Sequence, residues 1–214
     1  METKVNKNEN AIRILQKVMF FFGLMWLVSG VGLIFGQYVP SSLLIPLIIV
    51  ELGLVIAVVF ARKSKAVGKF LALLFALVSG IVLYSSISYY VGELGGQLVL
   101  TVFLTTAIVF AIYGIIGFNL KKDLAGWGSY LFIALIVLVV LMVVNMIFPM
   151  RETWMLVASG FGVLLFSFYT IYDFNSLRHR QLSVDDVPSL ALNLYLDFLN
   201  LFLDLLRIVN YFKN

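Results

Sequence analysis

The chain has 214 residues, of which 62% are hydrophobic, 15% aromatic and only 12% charged, with a net charge of +4. An ordinary soluble domain carries about twice that share of charge, so a mean hydropathy of +1.06 marks an integral membrane protein and excludes a soluble enzyme. The modest charge without basic-aromatic clusters gives no support to nucleic-acid binding, the absence of cysteine removes thiolate chemistry, and the single His179 makes no multi-histidine metal site.

Cutting the apolar runs at charges and turn residues leaves seven spans of the ~20 residues a bilayer helix needs. The first charge-free run, 18–50, is too long for one helix and breaks at Gln37-Tyr38-Val39-Pro40-Ser41-Ser42. The remaining spans are 70–91, 98–120, 126–148, 153–176 and 190–209. The expectation is an all-α integral membrane protein with one membrane domain over 18–209, a cytoplasmic segment 1–17 before it and a short tail 210–214. The charged start resembles that of a signal peptide, but its long apolar run and lack of a small-residue cleavage site argue for a retained helix.

From a cytoplasmic N-terminus, alternation leaves twelve basic residues inside and only Arg151 in the outer loops. The positive-inside rule therefore orients the N-terminus inward, and an odd number of spans sends the C-terminus out. Arg207 and Lys213, near the C-terminus, disagree with this; six spans plus a re-entrant last helix would resolve the conflict. Trp127 and Trp154 fall at span ends, where amphipathic rings favour the interface. Gly32 and Gly36 are spaced for close helix packing, as are Gly92 and Gly96, the latter pair in a loop region. No internal repeat is present.

Four acids fall inside spans: Glu51, Asp173, Asp197 and Asp204. A charged side chain at mid-bilayer costs on the order of 2.5 to 3.5 kcal/mol even on the lenient scale, so each is a candidate for function, the alternative being a protonated acid bonded to a neighbouring helix. Glu51 lies near the middle of the second span. Arg62 follows eleven residues later, ~20° around the helix and ~16 Å along it, so the two define one polar face. Pro46 precedes Glu51 by just over a turn, a place where a proline bends a helix.

The last span carries Asn193, Asp197, Asn200, Asp204 and Arg207, which fall within ~80° of one another on a helical wheel. A membrane helix with so narrow a polar stripe turns it toward the protein interior or a water path. Asp173 on the preceding span and Asp197 on this one, on consecutive antiparallel helices, come within reach of each other. Two carboxyl groups that close share a proton.

Tyr172-Asp173-Phe174-Asn175, followed by the run Leu190-Ala191-Leu192-Asn193-Leu194-Tyr195-Leu196-Asp197-Phe198-Leu199-Asn200-Leu201-Phe202, resembles the signature of the transmembrane Bax inhibitor motif family, close to its bacterial calcium-leak members. Similarity extends to Gly36-Gln37-Tyr38-Val39-Pro40, Lys65-Ala66-Val67-Gly68 and Lys121-Lys122-Asp123-Leu124. The resemblance implies seven helices, with two three-helix layers around a central C-terminal helix, and passive, pH-regulated calcium leak. It implies that Asp173 and Asp197 form the pH-sensing pair, that Arg62 is their gate partner and that Glu51 is the acid of the second span. Asn193 stands where a serine is common, and Asp204 is an added acid that either strengthens cation affinity or pairs with Arg207.

On this reading calcium, a hard cation that prefers oxygen ligands, enters from outside, meets Glu51 and leaves past the acidic pair and Arg62. Asn193, Asn200 and Asp204 complete the path, and Glu51, Asp173 and Asp197 hold the ion transiently. Losing the shared proton sets two charges side by side, and gaining a second neutralises the partner of Arg62; either change moves the second span. No resident cofactor is expected, and the partners are calcium, protons and the lipid of the cell membrane, with the chain as a monomer. Three rivals stand beside this reading. An aspartyl intramembrane protease would need glycines around its second aspartate, where this chain has Leu194-Tyr195-Leu196-Asp197. A calcium/proton antiporter would use the same acids, and a non-conducting scaffold or regulator would act through membrane partners. His179, between Arg178 and Arg180, reads as a solvated or headgroup-facing residue with its neighbours serving topology.

Overall fold

Apolar runs of this length have one way to satisfy their backbone in lipid, which is to coil into helices. The computed structural model describes residues 2–61, 65–148 and 151–213. Among these there is no strand, and seven long helices account for nearly all of them: α1 (Glu2–Gly36), α2 (Leu44–Phe60), α3 (Lys65–Leu94), α4 (Gly96–Asn119), α5 (Gly128–Ile147), α6 (Glu152–His179) and α7 (Val187–Lys213). Each contains a stretch long and apolar enough to cross a membrane, so this is an all-α multi-pass membrane protein. Many large apolar side chains, among them Phe20, Ile34, Ile115 and Phe132, stay exposed, as a lipid-facing surface requires.

The break expected after residue 36 is present. Gly36 ends α1, and a short 3₁₀ turn over Ser41–Leu43 leads into α2. Most other helices outrun their apolar core: α3 extends to Leu94 and includes Glu93, and α1 runs back to Glu2, with Ala11 and Ile14 opening a buried stripe continued by Val18, Phe21 and Met25. Hydropathy marks where lipid begins, whereas a helix continues for as long as its backbone bonds are met. Pro46 falls in the first turn of α2. A missing N–H costs nothing there, so the bend expected of it has no cause.

Between α3 and α4 a single residue, Gly95 at φ +85°, makes the turn, a conformation that glycine adopts without a Cβ penalty. Gly92 and Gly96 beside it have no neighbouring atom within 4 Å, so the packing role expected from their spacing is absent. The start of α7 is set by a capping box. The Ser183 hydroxyl accepts from Asp185 N at 3.2 Å, and the Asp186 carboxylate accepts from Ser183 N at 2.9 Å.

The chain forms two compact units. One comprises residues 1–89 with 180–195, the other residues 90–179 with 196–214. Helix α7 contributes its first turns to one and its remainder to the other. It is the most buried span at 67%, against 44% for α3, the next. Its 27 residues are about 40 Å long, enough to cross a bilayer. Lys213 at its end donates to Glu93 O at 2.9 Å and Leu94 O at 3.0 Å. That cation on the last carbonyls of α3 gives the basic residue a structural role.

In the first unit α1 meets α3 through glycine. A Cβ at Gly32 would strike the Leu77 carbonyl, one at Gly36 the Tyr84 Cβ, and one at Gly80 the Ser29 carbonyl. Small residues let helix backbones approach closely where lipid provides no hydrophobic drive. In the second unit Gly117 lies against the Ile171 carbonyl and Gly114 against the Phe174 ring. Leu131 and Leu138 of α5, Leu165 and Phe166 of α6 and Leu201 of α7 form an apolar cluster there. We predict that Gly80→Ala lowers stability by about 1–3 kcal/mol through backbone overpacking, whereas Gly23→Ala, with nothing within 4 Å, is neutral or stabilising. Thermal unfolding in detergent checks the contrast; equal effects would sink it.

Candidate functional site

The stripe on α7 meets a different setting at each turn. Asp197 and Asp204 are 4% and 2% exposed, whereas Asn193 is exposed and Asn200 half-buried. The inward orientation expected for Asn193 is therefore corrected. Asn200 donates to Leu196 O of its own helix at 2.8 Å, a bond that satisfies its amide locally.

Asp173 on α6 is also buried, and its carboxylate lies within electrostatic reach of Asp197 and of the Tyr169 hydroxyl. With α6 running to His179 and α7 starting at Val187, Asp173 stands about 9 Å from its helix end and Asp197 about 15 Å from its helix start. Asp197 Oδ2 has no hydrogen-bond partner among the described residues. A buried carboxylate oxygen without a donor is costly, and Asp204 Oδ2 is in the same position.

One turn pair further along α7, Asp204 Oδ1 accepts from Arg207 Nη1 at 2.9 Å, and the same nitrogen donates to Ser159 Oγ at 2.9 Å. Gly162 on α6 leaves the space this carboxylate occupies. Of the two alternatives open for Asp204, the pair with Arg207 is formed. Arg62 lies outside the described residues.

Glu51 is half-buried on α2, with its carboxyl near Ser79. The Tyr195 hydroxyl is bonded to Ser29 Oγ at 2.8 Å and to Ser79 Oγ at 3.3 Å, and all three residues are buried. Sequence reasoning missed this cluster, because isolated serines in apolar runs carry no periodic signal. It also missed the work of Asn175. Asn175 Oδ1 accepts from Leu124 N at 2.9 Å, and its amide donates to Gly117 O at 3.2 Å and Lys122 O at 3.1 Å. Arg178 donates to Phe118 O at 2.9 Å, and His179 lies 3.2 Å from Lys121 O. The end of α6 thus clamps the connection between α4 and α5, so His179 and Arg178 have structural partners in place of free solvation.

No group of three or more His, Cys, Asp or Glu able to hold a metal occurs among the described residues.

We predict that Arg207→Leu, which strands Asp204, costs about 3 kcal/mol of stability, and that adding Asp204→Asn recovers more than half of it. Thermal unfolding of both variants in detergent measures this, and a double variant as unstable as the two single losses added together would count against it.

Residues 12–214 match the family model described as "Inhibitor of apoptosis-promoting Bax1". Among curated relatives, the Escherichia coli inner membrane protein YbhL is 35% identical over 77% of this chain and 73% of its own length. An uncharacterised Campylobacter jejuni protein is 31% identical over 90% and 86% respectively. A vaccinia virus Golgi anti-apoptotic protein is 33% identical over 74% of this chain and 65% of its own.

Proposed function

Because the chain belongs to the inhibitor of apoptosis-promoting Bax1 family and is built of membrane-spanning helices, we propose that it is a passive, pH-regulated calcium leak, with Asp173 and Asp197 as the pH-sensing pair. The observation that carries this reading is the pair itself: two buried carboxyl groups on α6 and α7, each within the other's field. Such a pair changes charge with pH, and charge inside a membrane moves helices. Calcium runs down its gradient and meets oxygen ligands on the way, Glu51 and the aspartate pair, each holding it too weakly to trap it. Arg62 acts as the latch that answers to the charge of the pair. Asn200 and Asp204 belong to the same polar stripe; Asp204, already paired with Arg207, tunes the path more than it binds the ion.

The inner-membrane relative and the distribution of basic residues support a cell-membrane location with the N-terminus in the cytoplasm and the C-terminus outside. Calcium and protons are the partners, no resident cofactor is needed, and the chemistry is conduction, not catalysis. A second reading, a non-conducting regulator, is favoured by the name of the viral relative.

Purified protein in dye-loaded liposomes, with no imposed potential or proton gradient, is expected to pass calcium at a rate that changes with pH. Asp173→Asn and Asp197→Asn are each expected to flatten that dependence. Silence at every pH favours the regulator or gradient-coupled exchange, and an unchanged pH profile in both variants removes the sensing pair.

A further inference from the structure

The close approach of α1 and α3 at Gly80 and Ser29 brings Ser29 and Ser79, on different helices, to one tyrosine hydroxyl of α7. The ring that carries the hydroxyl is held by residues of the same two helix faces. Trp26, three residues before Ser29, lies 4.9 Å from the Tyr195 ring between centroids, and Phe75, four residues before Ser79, lies 5.8 Å away, edge-on. Tyr195 is fully buried.

Counting protons gives these bonds a direction. A tyrosine hydroxyl has one hydrogen, and Tyr195 donates it to Ser79 Oγ. The 2.8 Å bond to Ser29 is therefore donated by the serine. Ser79, having accepted, keeps its own proton, and the Glu51 carboxyl lies near it. The donors Ser29 and Tyr195 thus lead to Ser79, and the Glu51 carboxyl near it offers an oxygen suited to a negative charge. Little else holds that oxygen in place. The α2 span is only 6% buried, and Ile48, Ile49, Leu52 and Ile56 around Glu51 are exposed, so apolar packing does not orient the side chain.

We propose that Ser29, Tyr195 and Ser79 form a directed hydrogen-bond relay that positions the Glu51 carboxyl for a passing hard cation, with Tyr195 as its central positioning residue. The relay rests on Glu51 lying on the calcium path.

The full chain in liposomes tests this with two readouts. Tyr195→Phe keeps the ring and removes the relay proton, so calcium flux is expected to fall about fivefold, the worth of one net hydrogen bond, and Ser79→Ala to do the same. In a Glu51→Gln background neither change lowers flux further, because the effects share one target. Infrared spectra of chain carrying isotope-labelled glutamate identify the Glu51 carboxyl band as the one lost in Glu51→Gln. That band is expected to shift in Tyr195→Phe and in Ser79→Ala, and to stay in place in Tyr38→Phe, an exposed tyrosine. Should Tyr195→Phe fold poorly, Ser29→Ala removes the first donor while leaving the tyrosine, and is expected to move the same band by less. A Glu51 band unmoved by all three variants overturns the relay. A shifted band in a chain that passes no calcium supports the relay and overturns the conduction reading instead.

Discussion

A bilayer offers no hydrogen-bond partner, so a buried polar side chain on α7 is stabilised by groups of the protein, and much of the structure is arranged to supply them. Tyr195 takes Ser29 and Ser79, Asp197 faces Asp173, and Asp204 takes Arg207 of its own helix in a space left by Gly162. A helix with five polar positions would be a poor transmembrane segment by itself. Met in this way, it becomes the most buried of the seven.

The partners are mostly small. Gly80, Gly117 and Gly162 each stand where a methyl group would collide with a carbonyl or a carboxylate. Close helix approach and polar satisfaction are therefore one device: removing the side chain from one helix makes room for the hydroxyl or acid of the next. Larger apolar groups fill the intervals. Phe110 lies edge-on to Phe174 and Phe198, at 5.7 and 5.3 Å between centroids, and aromatic edges against faces add to the area they bury.

The four residues Tyr172-Asp173-Phe174-Asn175 show how much one helical turn can carry. Tyr172 packs over Gly128, Phe174 over Gly114, Asn175 ties down the connection between α4 and α5, and Asp173 faces the acid of α7. One of the four bears on the proposed chemistry. The other three fix where its carboxylate stands, which a pair of like-charged groups requires, since their interaction falls off with distance.

The number of spans, the break after Gly36, the acids that should not lie in lipid and the polar stripe were all legible in the sequence. Each follows from a local rule: hydropathy over ~20 residues, turn residues, and the 3.6-residue period. Helix ends were less legible, because backbone bonding extends past the apolar run, as at Glu93 and Ile14. Tertiary structure alone decided that Asn193 is open while Asp197 is closed, although both lie on one stripe. It also decided that Asn175 and His179 serve a loop and that Ser29, Ser79 and Tyr195 share one set of hydrogen bonds. Burial and partnership depend on what the neighbouring helix presents at the same depth. That is set by glycines and serines far away in the chain, whose meaning appears only when two helices meet.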